Sequence, residues 1–261
     1  MSLNISIAGI TGKVGKALAE EVVSKNELNL ISGISQSNTT LKFNNVSVPS
    51  FDTITQLLAH SVPDVLIDYS SPLIVKKQVL KAIENGVHVV IGTSGLSNDD
   101  YDEIHEAALK YNVGVVAGGN FSITATLLRV FAKKAMKYLP YYEVFDYAGS
   151  KKMDAPNGTS REIASELAKI QEPKYDIAIK DTLGLKESRG ASINNVQVHA
   201  IRIPSFYSSN EILLGSEFER LQIRQDTVAS PIPYVYGTLE AAKKVVDLKG
   251  LVRGLENVIE I

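Results

Sequence analysis

Near the N-terminus, the segment Gly9-Ile10-Thr11-Gly12-Lys13-Val14-Gly15 follows directly on a β-branched run (4–8) and opens an amphipathic stretch (15–24). A strand that enters a helix through a turn almost without side chains exposes backbone N–H groups and the positive helix end, which suits a pyrophosphate. Glycines at this spacing can also serve only to make a tight turn. The context favours the nucleotide reading, because short apolar runs at 28–34, 65–67, 87–91 and 114–116 alternate with helical patterns at 74–85 and 98–111. That rhythm is the pattern of βαβ units on a parallel sheet. Strands apolar throughout are expected to be covered on both faces.

The second strand ends at Ile34-Ser35-Gln36-Ser37, where a site selective for NAD usually carries an acid for the ribose hydroxyls. No acid is present, and Lys13 stands where an ammonium can reach a 2′-phosphate. The expected cofactor is therefore NADPH, with NADH also accepted.

Beyond Phe121 the pattern changes. Helical stretches at 124–137 and 160–170 flank a strand at 142–147, and alternating strands follow at 196–203, 211–215 and 220–226. Period-two alternation predicts an antiparallel or mixed sheet with one wet face. A last helix over 238–247 is expected to return to the first domain. The fold class is thus α/β: a doubly wound parallel-sheet (Rossmann) domain of residues 1–121 and 233–261, with a smaller α+β domain of residues 122–232 expected to bind the substrate.

Composition narrows the chemistry. The chain has 261 residues, 44% of them apolar, enough for a sizeable core. There is no cysteine, so disulfides, thiolate nucleophiles and cysteine-held metals are excluded. No His/Asp/Glu cluster has metal-ligand spacing, so no metal is expected. A net charge of −2 with scattered Lys and Arg offers no stripe for nucleic acid. No apolar run reaches membrane-spanning length. We expect an unprocessed, soluble, cytoplasmic protein.

Three further motifs end successive strands: Asp68-Tyr69-Ser70-Ser71-Pro72, Gly92-Thr93-Ser94-Gly95 and Gly118-Gly119-Asn120-Phe121-Ser122. They fall at the carboxyl edge, where open α/β sheets bind ligands. Together with Lys151-Lys152-Met153-Asp154-Ala155-Pro156-Asn157-Gly158-Thr159, the chain resembles the dihydrodipicolinate reductase family over nearly its whole length. The resemblance implies that Gly92, Thr93 and Ser94 hold the nicotinamide carboxamide and that Gly118, Asn120 and Phe121 line the nicotinamide pocket. It also implies that Lys152 is the general acid and that Gly158 and Thr159 grip a substrate carboxylate. The implied substrate is a small dianionic cyclic imine, 4-hydroxy-tetrahydrodipicolinate, in lysine and diaminopimelate synthesis, and the implied assembly is a homotetramer built through the second domain's sheet. Such a dianion needs cationic and N–H donors, and the lysine loop supplies them just before a helix.

The chain also departs from that family. Two adjacent histidines usually precede the lysine, and here the positions read Ala148-Gly149; a later His-Asp pair reads Gln225-Asp226. Tyr147, Ser150 or Lys151 could compensate. His60, His88 and His105 suit structural or surface roles. His199 and Arg202 share a strand, and period two puts them on opposite faces, so only one faces the substrate. Two other readings stay open at this point: a reductase of the same fold acting on another cyclic imine or enamine acid, and a silent nucleotide-binding homologue.

Overall fold

The computed structural model describes residues 2–261. In chain order the elements are β1 (Leu3–Ala8), α1 (Lys13–Val22), β2 (Leu28–Ile34), β3 (Thr39–Phe43), β4 (Val46–Phe51), α2 (Ile54–His60), β5 (Val65–Asp68), α3 (Val75–Glu84), β6 (His88–Ile91), α4 (Asn98–Lys110) and β7 (Gly114–Ala117). They continue as α5 (Ile123–Ala135), β8 (Tyr141–Ala148), α6 (Gly158–Ile170), β9 (Ala191–Ile193), β10 (Val196–Arg202), β11 (Ser208–Gly215), β12 (Arg220–Thr227), α7 (Ile232–Lys244) and β13 (Gly250–Arg253). The chain divides into one unit of Met1–Ile123 with Pro231–Ile261 and a second of Thr124–Ser230.

The first unit is an eight-stranded sheet in the order β13-β7-β6-β5-β1-β2-β4-β3. All pairs are parallel except β3 with β4. Val65-Leu66-Ile67 is fully buried, because α1 and α7 cover one face of the sheet while α2, α3 and α4 cover the other. From β1 the strand order runs outward in both directions. The loops after β1 and β5 therefore diverge at the carboxyl edge, the switch point where such sheets hold ligands.

The second unit is a mixed five-stranded sheet, β12-β11-β8-β10-β9. In β8 the side chains alternate strictly between buried and half-buried. Tyr142 and Val144 join Leu128, Met136, Ile163 and Leu167 in a core under α5 and α6, while Tyr141, Glu143, Phe145 and Tyr147 take the opposite face.

Several elements differ from the sequence expectation. The β3–β4 hairpin, α2, β9 and β13 are additional. Both missed hairpins turn on an Asn-Asn pair, Asn44-Asn45 (φ 45° and 70°) and Asn194-Asn195 (φ 49° and 69°). Two consecutive positive φ values are what a two-residue hairpin requires, and Asn tolerates them. The last helix begins at Ile232, not at 238. Pro231 is its N-cap and Pro233 lies in its first turn, where a missing N–H costs no helix bond. The same helix ends at Lys244, and Val245–Asp247 tightens into a 3-10 turn. Among the described residues no helix is long and apolar enough to cross a membrane.

Helix α7 also supports the loop after β7. A Cβ added at Gly237 would lie 2.0 Å from the carbonyl oxygen of Phe121. Ala is the better helix former by roughly 1 kcal/mol, but a backbone carbonyl cannot swing aside as a side chain can. Gly237→Ala should therefore destabilise the protein by about 1–3 kcal/mol, the usual cost of overpacking, measured as a lower urea midpoint.

Candidate active site

The glycines of the first loop are dictated by close backbone approach. Gly9 has φ +77°, and a Cβ on it would stand 2.2 Å from the Tyr69 carbonyl oxygen. A Cβ on Gly15 would stand 2.1 Å from the Gly9 carbonyl oxygen, and the Gly12 N–H donates to that same oxygen at 2.9 Å. Ile10 is buried, whereas Thr11, Gly12 and Lys13 are exposed and Val14 is half-buried. Gly12 caps α1 with extended backbone and no side-chain bond, and the first turn holds no acid. By contrast α2, α4 and α6 are capped by Thr53, Ser97 and Asn157. The N–H groups of the first turn of α1 have no intrahelical partner, so the uncapped end is open to an anion and fits a pyrophosphate.

At the end of β2 the Ser35 hydroxyl is already engaged, donating to the Ser37 carbonyl at 2.9 Å and accepting from Ser50 Oγ at 2.8 Å. Lys16 and Lys42, with Ile10, Thr11, Leu41 and Phe43, line a cavity of about 240 Å³ beside the loop. Sequence reasoning missed these two cations. Lys16 was readable as the residue one helical turn after Lys13, but Lys42 depends on the unrecognised hairpin.

The loops after β5, β6 and β7 interlock in the same unit. A Cβ on Gly92 would lie 2.2 Å from Cζ of Tyr69, so only glycine admits that ring. The Tyr69 hydroxyl donates to Thr238 Oγ1 at 2.8 Å, since the Thr238 hydroxyl itself donates to the Tyr234 carbonyl. Burial pushes the Tyr69 phenol well above its ordinary range, and it stays neutral. Phe121 is buried edge-on to Tyr69 at 6.4 Å, and a Cβ on Gly118 would meet its ring at 3.1 Å. Asn120 Oδ1 accepts from the Ser122 N–H at 2.8 Å. Thr93 is buried, and its hydroxyl donates to Asp68 Oδ1 at 2.7 Å. That hydroxyl can offer a bound carboxamide only its lone pairs. Ser94 is exposed. Asp68, fully buried, also accepts from the Ser70 N–H (2.9 Å), Ser70 Oγ (2.7 Å) and Gln78 Nε2 (3.1 Å). Burial raises its pKa, and the bonds from Thr93 and Ser70 oppose the rise.

In the second unit the lysine loop joins β8 to α6. The Lys152 N–H donates to the Gly149 carbonyl at 2.9 Å, and Lys152 Nζ pairs with Asp154 Oδ1 at 2.9 Å in solvent. The ammonium holds the Asp154 carboxyl below its ordinary range. Gly158 and Thr159 open the 13-residue α6, and a Cβ on Gly158 would meet nothing within 4 Å. Asn157 caps the helix, its Oδ1 accepting from the Ser160 N–H at 2.8 Å. Beneath lies Asp146, fully buried, which accepts from the Asn157 N–H (2.7 Å), Asn157 Nδ2 (2.5 Å) and Arg202 Nη2 (2.6 Å).

Arg202 and His199 do take opposite faces of β10. His199 bonds Glu143 Oε2 at 2.6 Å and stacks on Phe145 at 4.7 Å, on the face away from Asp146. His88 and His105 accept from the backbone N–H groups of Gly114 and Leu251, and His60 packs on Phe51. Ala148 is wholly buried opposite Arg202, whereas a Cβ on Gly149 would come only within 3.1 Å of the Phe206 carbonyl oxygen.

The family profile described as "Dihydrodipicolinate reductase, N-terminus" matches residues 3–121, and that described as "Dihydrodipicolinate reductase, C-terminus" matches residues 123–259. Among curated proteins, a 4-hydroxy-tetrahydrodipicolinate reductase of Bacillus licheniformis is 30% identical, with 99% of this chain and 98% of the relative covered. One from Listeria monocytogenes is 26% identical, with 99% and 100% covered. Among solved structures, a dipicolinate-bound dihydrodipicolinate reductase from Paenisporosarcina sp. TG-14 superposes with a TM-score of 0.91 at 26% identity, over 99% of this chain and all of that one. With both of its halves matched, the chain belongs to the dihydrodipicolinate reductase family.

Proposed function

We propose that this protein reduces 4-hydroxy-tetrahydrodipicolinate to tetrahydrodipicolinate, the reaction for which its curated relatives are named. The observation that carries the proposal is the lysine loop: a proton donor, Lys152, and the Gly158-Thr159 backbone at the start of α6, just beyond its Asn157 cap, lie on one short segment tied down at a buried carboxylate. Loss of the 4-hydroxyl as water leaves a conjugated imine that accepts the hydride, and the dianion needs both groups, one to fix a carboxylate and one to protonate the electron-rich ring that results. When bound, a reduced nicotinamide supplies the hydride from its C4.

The chain's own groups divide the remaining work. Gly9, Thr11, Gly12, Lys13, Val14 and Gly15 seat the pyrophosphate on the uncapped end of α1. Gly92, Thr93, Ser94, Gly118, Asn120 and Phe121 form the nicotinamide site, with Thr93 accepting from the carboxamide because its own proton serves Asp68. NADPH is the preferred cofactor and NADH is accepted. Lys13, supported by Lys16 and Lys42, meets a 2′-phosphate, and no acid at Ser35-Gln36-Ser37 repels it. The working form is a soluble cytoplasmic homotetramer. Its interface is the open sheet face of the second unit, where Phe145, Tyr147 and His199 stand, together with the segment carrying Leu183 (96% exposed) and Leu185 (78% exposed).

Calorimetry should show binding of both dinucleotides, with NADPH at least as tight as NADH. Absence of binding by both contradicts the cofactor site, and a strong NADH preference contradicts the role of the lysines. Lys152→Ala should lower kcat by about 100- to 10,000-fold, the usual range for a lost general acid, while leaving NADPH affinity unchanged. Because the acid must be protonated to act, the wild-type rate should fall only toward alkaline pH. Reintroducing a family histidine as Ala148→His should not repair the site. The position is wholly buried against Arg202, so the variant should be less stable by roughly 1–3 kcal/mol in urea denaturation, with no gain in kcat/KM.

A further inference from the structure

The lysine loop carries two proposed functions, proton delivery and carboxylate binding, yet most of it is exposed: residues 151–155 all face solvent, and among the described residues the one side-chain bond of Lys152 is its solvent-exposed pair with Asp154. Such a segment does not hold its shape by itself. Its fixed points lie beneath it. Asp146 Oδ2 and Oδ1 take the backbone N–H and the amide of Asn157, which sets where α6 begins. Arg202 Nη2 bridges Asp146 Oδ2 at 2.6 Å and the backbone carbonyl of Asp154 at 2.7 Å, two residues beyond Lys152. Its Nη1 bonds the carbonyls of Ile201 at 2.9 Å and Asp146 at 3.3 Å, anchoring the guanidinium to β10 and β8. Burying these charges is costly, and stability alone does not call for it, since apolar residues of similar volume often serve as well or better.

We propose that Arg202, held by Asp146, is the positioning residue of the active site. Its guanidinium clamps the loop at the Asp154 carbonyl while the same carboxylate sets the first turn of α6, so that Lys152 and Gly158-Thr159 keep one fixed spacing across the substrate. This rests on the role assigned to Lys152 in the proposed reaction. The planar fork is essential to it, because a guanidinium can bond a carboxylate and a carbonyl at once whereas an ammonium is a point charge. Arg202 touches neither hydride donor nor acceptor; it acts through Lys152.

The test is a double-mutant cycle of Arg202→Met and Lys152→Ala, with Arg202→Lys as the variant that keeps the buried charge balanced. Arg202→Met should lower kcat by about 100-fold, the scale of a misplacement near 1 Å, with NADPH affinity unchanged and part of the rate recovered in Arg202→Lys. In the Lys152→Ala background the Arg202 substitution should have no further effect, as expected of residues acting as a unit. Wild-type kcat in Arg202→Met, or losses that multiply in the double variant, would overturn the proposal. If Arg202→Met does not fold, Arg202→Lys takes its place in the cycle under the same criteria. Limited trypsin digestion gives a readout without turnover. Cleavage after Lys151 and Lys152 should be faster in Arg202→Lys than in wild type, with the rest of the chain equally resistant, and unchanged cleavage overturns the proposal. A wild type that leaves the substrate unreduced refutes the proposed reaction instead, and digestion alone then decides whether Arg202 holds the loop.

Discussion

A carboxylate removed from water must be given donors in return, and both units of this protein are organised around one such group. In the parallel-sheet unit Asp68 gathers Ser70, Thr93 and Gln78, which ties the loop after β5 to the loop after β6 and commits the Thr93 proton. In the second unit Asp146 gathers Asn157 and Arg202, which ties the lysine loop to the sheet below it and to the start of α6. Neither carboxylate is itself placed to react. Each instead converts a flexible connection into a fixed one, and each connection carries groups assigned to catalysis.

The first of these arrangements was partly legible in the sequence and the second was not. The glycine turn between β1 and α1 could be read because its signal is local: a strand, three glycines and a helix start within one short run. The three strand-end motifs could be read because a parallel sheet brings successive carboxyl ends to one edge, whatever the sequence between them. The Asn-Asn hairpins lie in segments to which no element was assigned, although two adjacent residues tolerant of positive φ are the local requirement for such a turn. Helix α7 begins six residues before the expected start at 238, because a helix accepts proline in its first turn.

The Asp146–Arg202 pair has no local signature. Its members are 56 residues apart in sequence and on neighbouring strands, and only the parallel register of β10 on β8 brings them together. The same register explains the histidine expectation. His199 is opposite Phe145 and falls on the outer face, so its partner is Glu143, while Arg202, three residues on, falls on the inner one. Period two separated the two residues correctly, but the choice between them required knowing which face covers the lysine loop.

The replacement of two histidines by Ala148 and Gly149 is consistent with this frame. Ala148 fills a buried position beside Arg202, and the loop that follows it still presents a lysine and the first turn of α6. Each carboxylate donor absent from such a grip removes about 1.5–3 kcal/mol of charge-assisted bonding, which weakens substrate binding without removing the proton donor. In the proposed reaction hydride passes from a nicotinamide to the lysine-pathway substrate on this chain. The most direct measurement supplies NADPH deuterated at both C4 positions together with enzymatically generated 4-hydroxy-tetrahydrodipicolinate and follows the product by mass spectrometry. The account predicts tetrahydrodipicolinate carrying a single carbon-bound deuterium. Substrate left unreduced, or a reduced product free of deuterium, would contradict it.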